Sequence, residues 1–239
     1  MVFLICSSSE SFSQSDADPA ETEVWEPVPV MVRPGNEVTA LPPSDAIVLF
    51  DGSGLGRWTS MDGSEAEWTV KNGYFTVAEG TGDIKTRQNF TDFQLFLEWR
   101  SPTEITGEGQ GRGNSGVFLQ GRYELQVLDS YNNPTYSNGQ AGSIYKQHIP
   151  LVNATRPPGE WNSYNVVYTA PRFDANGEID EPARVTVLHN GILIQDNVEI
   201  QGNTVYRGQP FYEQHGPGPI VLQDHGDLVS YRNIWIREK

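Results

Sequence analysis

The chain reads as an all-β protein built from two packed antiparallel sheets in a single domain. Short runs that alternate apolar and polar residues recur between turn residues from residue 46 onward, the period of half-buried strands. The sequence also holds 24 Gly and 16 Pro, both of which destabilise helix interiors. Two Asn-Gly pairs, Asn72-Gly73 and Asn190-Gly191, separate such runs and suit type I′ hairpin turns, because both positions accept positive φ. No stretch has a convincing helical period, and no internal repeat is visible.

Taken in order, residues 1–45 stand apart. They carry eight acids against one base, Arg33, with a Ser-rich run and six prolines. This composition suggests an acidic tail or linker, expected to be partly disordered, ahead of a sandwich domain spanning 46–239. The opening Met-Val-Phe-Leu-Ile-Cys is apolar but lacks a basic flank, and it is shorter than the ~7–15 residues of a signal core. Leu4-Ile5-Cys6 has the outline of a lipoprotein box with Ile5 where Gly or Ala belongs. A remnant export signal and an ordinary hydrophobic patch both fit. No stretch approaches the ~18 apolar residues of a membrane span.

Strands are expected at 46–50, at 67–77 with a hairpin at Asn72-Gly73, and at 83–86, 93–100, 116–119 and 123–129. Later ones fall at 161–169, 184–189, 192–198, 220–224 and 231–237. Alternation assigns faces. Phe93, Leu95, Leu97 and Trp99 share one face of their strand, and Gln94, Phe96, Glu98 and Arg100 share the other. Tyr123, Leu125 and Val127 likewise oppose Glu124 and Gln126. Two strands with such polar faces would make a concave groove, although a surface ion pair explains Glu98 and Arg100 equally well.

Charge and motifs exclude several functions. With 31 acids against 16 bases and a net charge of −15, the chain has no basic stripe for nucleic acid and would be repelled by an anionic membrane. A single cysteine, Cys6, excludes an intrachain disulfide and a cysteine-based metal cluster. The glycine-dense segment 107–116 runs into a strand with no Lys-Ser/Thr after it, so it is no phosphate loop; it presents Asn114 and Ser115. In Leu222-Gln-Asp-His-Gly226, a histidine beside a carboxylate at a strand end suits a general base, a metal ligand or a satisfied turn residue. His148, His189 and His215 show no ligand spacing, and His189 is expected to be structural.

Several stretches resemble the bacterial 3-keto-disaccharide hydrolase family. They are Leu49-Phe-Asp-Gly52 with Trp58, Gly82-Asp-Ile-Lys-Thr86 followed by 93–100, Gly113-Asn-Ser-Gly-Val-Phe-Leu119 and Gly121-Arg-Tyr-Glu-Leu-Gln-Val-Leu-Asp-Ser130. Further on come Ala141-Gly-Ser-Ile-Tyr145, Arg156-Pro-Pro-Gly-Glu-Trp161, Ala170-Pro-Arg-Phe173, and Leu222-Gln-Asp-His-Gly226 with Arg232-Asn-Ile-Trp-Ile236. The likeness runs in order over about residues 46–238.

The resemblance implies a concanavalin-A-like jelly roll, an exported, periplasmic or cell-surface location, and action on oxidised sugars. A ketone at C3 acidifies the C2 proton, so a base removes it, the C1 aglycone leaves by β-elimination, and water adds back. That chemistry needs a base, a clamp for the enolate oxygen and an acid for the leaving oxygen. On the matching positions, the base is His225 oriented by Asp224, or Glu124; Arg100 and Lys146 clamp the enolate; Glu98 or Asp129 is the acid. Asn114, Gln126 and Gln223 would bond sugar hydroxyls, and Tyr145 would stack on the ring. Lys146-Gln147 stands where relatives are expected to carry Gly-Gln or similar. No cofactor is certain, and a divalent cation held by carboxylates and His225 is a second way to clamp the enolate. The partner expected is an oligosaccharide or other glycoside. The alternatives are a lectin-like carbohydrate-binding module and an ordinary glycosidase acting on unoxidised glycans.

Overall fold

The computed structural model describes residues 17–239; the export and lipoprotein readings around Cys6 lie outside them. The strands are β1 (Ile47–Phe50), β2 (Trp58–Ser60), β3 (Thr69–Lys71), β4 (Tyr74–Thr76), β5 (Ile84–Thr86), β6 (Phe93–Arg100), β7 (Ser115–Leu119) and β8 (Tyr123–Val127). They continue with β9 (Asn162–Thr169), β10 (Arg172–Phe173), β11 (Ile179–Glu181), β12 (Arg184–His189), β13 (Ile192–Glu199), β14 (Val221–Leu222) and β15 (Ser230–Glu238). The larger sheet runs β13-β12-β9-β6-β15-β4-β3 with β1 beside β15, the smaller β2-β5-β14-β7-β8, and β10 pairs with β11. Among the described residues the helical turns are short 3-10 segments, at Pro19–Thr22, Gly109–Gly111 and Ser137–Gly139. This is an antiparallel two-sheet sandwich of the jelly-roll kind.

Both Asn-Gly pairs form the expected turns. Asn72 (φ 54°) and Gly73 (φ 80°) join β3 to β4, and Asn190 (φ 53°) and Gly191 (φ 80°) join β12 to β13, the left-handed conformations a type I′ turn requires. Between the sheets lie Phe93, Leu95, Leu97 and Trp99 of β6 against Val117, Leu119, Tyr123, Leu125 and Val127 of β7 and β8, all at most 1% exposed. Burying a large apolar side chain contributes roughly 1.5–3 kcal/mol, so this interface fixes which side chains of each sheet must face outward. His189 is packed inside, where burial drives its pKa down to about 3, consistent with a structural role.

Residues 17–45, whose composition suggests a tail, dock on the sandwich as a strap. Asn138 accepts from Val24 N and donates to the Thr22 carbonyl. Asn153 exchanges backbone bonds with Val30 and Val32. Farther along, the Ala40 carbonyl takes bonds from Trp235 Nε1 at 3.0 Å and Asn233 Nδ2 at 3.1 Å. The strap thus reaches from the edge of the smaller sheet to the outer face of the larger one.

Candidate active site

A cleft of about 620 Å³ lies on the outer face of the smaller sheet. Its floor follows from alternation: with Val117, Leu119, Leu125 and Val127 turned into the core, Gly116, Phe118, Glu124 and Gln126 point the other way. Register sets Gly116 opposite Gln126 and Phe118 opposite Glu124. The chain after β14 continues this surface, since Gln223 N donates to the Gly116 carbonyl at 3.0 Å. Gln110, Gly111 and Asn114 of the glycine-dense loop, Tyr136, Tyr145, Thr204, Tyr206 and His225 complete the walls, and the strap contributes Glu23.

Glu124 is the buried carboxyl of this cleft. It is 5% exposed, lines the cleft, and its carboxyl makes no hydrogen bond among the described residues. Burial, aided by the negative charge of Asp83, raises its pKa from 4.5 to about 8, because a low-dielectric setting disfavours the ion. Room for the carboxyl comes from Gly116: a Cβ there would sit 2.7 Å from Glu124 Oε1. Thr204 Oγ1 accepts from Glu124 N and Tyr145 N donates to Glu124 O, fixing the backbone on its free side.

Polar groups surround this carboxyl. Gln126 Nε2 donates to Gln110 Oε1 at 3.0 Å, and Asn114 Nδ2 donates to the Gln110 carbonyl at 2.7 Å. Asn114 Oδ1 and Gln223 Oε1 are buried acceptors without partners, a costly state unless a ligand supplies donors. The Tyr136 and Tyr145 hydroxyls lie 2.7 Å apart, and burial pushes the Tyr145 phenol up to about 12 and that of Tyr136 higher than usual, so both stay protonated. Two hydroxyls in mutual contact leave one O–H directed elsewhere.

Comparison with known proteins places the chain in a family and supports its fold. The sequence profile of the 3-keto-alpha-glucoside-1,2-lyase-like domain matches residues 45–237. The chain belongs to this family, the 3-keto-disaccharide hydrolases. A relative named 3-keto-disaccharide hydrolase, from Bacteroides thetaiotaomicron, is 25% identical over 242 residues, covering 80% of this chain and 77% of the relative. A crystal structure from Parabacteroides distasonis, described as a glycosyl hydrolase, is 55% identical with a TM-score of 0.83, covering 92% of this chain and 95% of that one. A second Parabacteroides distasonis structure, 21% identical with a TM-score of 0.59 and covering 82% of this chain and 94% of that one, shares the fold. This 3-keto-disaccharide hydrolase family member is therefore an enzyme of the glycoside hydrolase class.

The cleft brings together Glu124, Gln126, Asn114, Tyr145, Gln223 and His225. It does not bring Glu98 or Arg100. These lie on the outer face of the larger sheet, with the core between them and the cleft, because Leu97 and Trp99 take the inner positions of β6. Glu98 is locked by Arg232, Asn233 and Thr39, and Arg100 lies 4.5 Å from the Tyr74 ring and 4.7 Å from the Trp161 ring. The acid and the clamp expected there are a buried ion-pair network and a cation stacked between aromatics. Asp129 also stays out of the cleft lining: it accepts from Arg112 Nε at 2.8 Å and from Tyr131 N at 3.2 Å. Burial nonetheless raises its pKa above the ordinary value, against the pull of Arg112.

Asp224 does not orient His225. Its carboxylate accepts from Gly82 N and Gly226 N, each at 3.0 Å, closing the turn instead. The carboxylate whose charge couples to both His225 and Glu124 is Asp83, raised above its usual pKa chiefly by burial, which outweighs the opposing influence of His225. Lys146 stands behind the tyrosines, donating to the Pro19 carbonyl at 2.6 Å and the Tyr206 carbonyl at 3.0 Å; burial lowers its pKa. Among the described residues no group of three or more His, Cys, Asp and Glu side chains is placed to hold a metal ion. Sequence reasoning missed Gln110, Asp83, Tyr136, Thr204, Tyr206 and Glu23. The first two sit in segments already marked by glycine density and by family likeness, whereas nothing local marks Glu23.

Proposed function

We propose that the enzyme cleaves 3-keto-glycosides by elimination and rehydration, with Glu124 as the base at C2. The observation that carries this is the Glu124 carboxyl, held without a hydrogen-bond partner in the cleft at a pKa of about 8. Such a carboxylate is a stronger base than an exposed one and still partly ionised at neutral pH. Glu124 takes the C2 proton, and the C2–H electron pair becomes an enolate with its charge on the C3 oxygen. The free O–H of the Tyr136–Tyr145 pair donates to that oxygen, with the Lys146 ammonium 5.7 and 5.9 Å from the two rings as a supporting charge.

Collapse of the enolate forms the C1–C2 double bond and breaks C1–O, and His225 at the open rim gives the leaving oxygen its proton. Neutral His225 then deprotonates water as it adds to C1, while Glu124 returns its proton to C2. Both groups end as they began, and the net change is hydrolysis. Asn114 and Gln223 accept from sugar hydroxyls through their unpartnered oxygens.

Purified enzyme given a 3-keto-glucoside and the parent glucoside tests the reading. Aglycone release from the ketone alone is expected. Comparable release from both would favour an ordinary glycosidase, and binding of the ketone without turnover would favour a lectin-like module.

A further inference from the structure

On the other flank of the strap, Met31, Val32, Arg33 and Pro34 face Tyr131, Thr155, Arg156, Pro157 and Glu160 across a cavity of about 360 Å³. Arg156 is 9% exposed; the one hydrogen bond of its side chain runs from an Nη to the Gly35 carbonyl, and its Nε has no partner. No carboxylate pairs with it among the described residues. Thr155, 3% exposed, also lines the cavity with an unpartnered hydroxyl. Arg33, exposed on the strap, makes no ion pair among the described residues, and Glu160, the one acid in the lining, is exposed too.

A buried guanidinium without a counter-charge is unfavourable, all the more notable in a chain of net charge −15. Two arginines and a hydroxyl around one cavity match the planar, multidentate recognition of an oxyanion. We infer that this cavity binds a small oxyanion, a phosphate or the carboxylate of an acidic sugar, between the strap and the Arg156 loop. The site is separate from the Glu124 cleft, and its test does not depend on turnover.

Titration calorimetry of the full chain with inorganic phosphate and, separately, with glucuronate reads it directly, with potassium chloride at matched ionic strength as the control. Saturable binding is expected, weakened about tenfold or more by Thr155→Val or by Arg156→Lys, and less by Arg33→Ala, which removes an exposed side chain and leaves the fold intact. Preference for phosphate assigns the site to a free oxyanion, and preference for glucuronate assigns it to an acidic sugar. Heats no larger than those of chloride, or saturable binding that Arg33→Ala and Thr155→Val both leave unchanged while circular dichroism shows them folded, would overturn the inference.

Discussion

The two outer faces of the sandwich carry similar residues and do different things. On the larger sheet, Glu98 is enclosed by Arg232, Asn233 and the strap's Thr39, while Arg100 and Arg232 lie over Trp161. On the smaller sheet, Glu124 is as deeply buried yet unpartnered, in a cleft whose Asn114 and Gln223 also leave acceptors open. A buried carboxylate with all its bonds made holds structure together; one with none retains reactivity. The contrast lies in what covers each face: the strap seals one and only edges the other with Glu23.

The largest effect that can break this contrast is Glu124→Gln, expected to lower kcat/KM for a 3-keto-glucoside by about 10³-fold, within the usual range for a general base. Glu98→Gln should leave kcat/KM within about threefold while lowering stability by about 2 kcal/mol, read by denaturant unfolding, because the Arg232 and Asn233 bonds lose their charged acceptor. Gly116→Ala comes next. The added methyl meets Glu124 Oε1, and a displaced base costs up to ~10²-fold in kcat, measurable in the same assay.

The raised pKa of Glu124 gives two opposite pH trends. Activity needs the ionised base, so the rising limb of kcat/KM against pH should be centred near 8. Stability runs the other way: the neutral acid is the form the fold tolerates, so the contribution is full below 4.5 and is lost as pH rises through about 8. The loss, on the order of a few kcal/mol, should be absent in Glu124→Gln unfolding curves. The smallest effect is expected for Glu23→Gln, which removes one charge from the cleft wall and keeps the side chain's size: a change in KM of no more than about threefold with kcat kept.

What was legible in the sequence was local. The Asn-Gly turns and the alternation of 93–100 and 123–127 follow from turn chemistry and side-chain period, and they place Glu124 and Gln126 on one face. Strands β2, β10 and β11 are too short to alternate, and only Val221–Leu222 of the run expected over 220–224 forms strand, because the chain leaves the ladder to present Gln223. Alternation could not say which sheet's outer face is open. That depends on where residues 17–45 dock, contacts far apart in sequence, and it is why Glu98 and Arg100 looked like site residues. Asp224 misled for a similar reason: adjacency to His225 suggested a pair, whereas the backbone amides of Gly82 and Gly226 claim its oxygens.

The central claim is that proton transfer at C2 belongs to Glu124 of the smaller sheet. Deuterium incorporation at C2 of a 3-keto-glucoside in D₂O, followed by NMR, tests it most directly. Wild type and Glu98→Gln should exchange alike, and Glu124→Gln about 10³-fold more slowly. Exchange undiminished in Glu124→Gln, or abolished in a folded Glu98→Gln, would contradict the account.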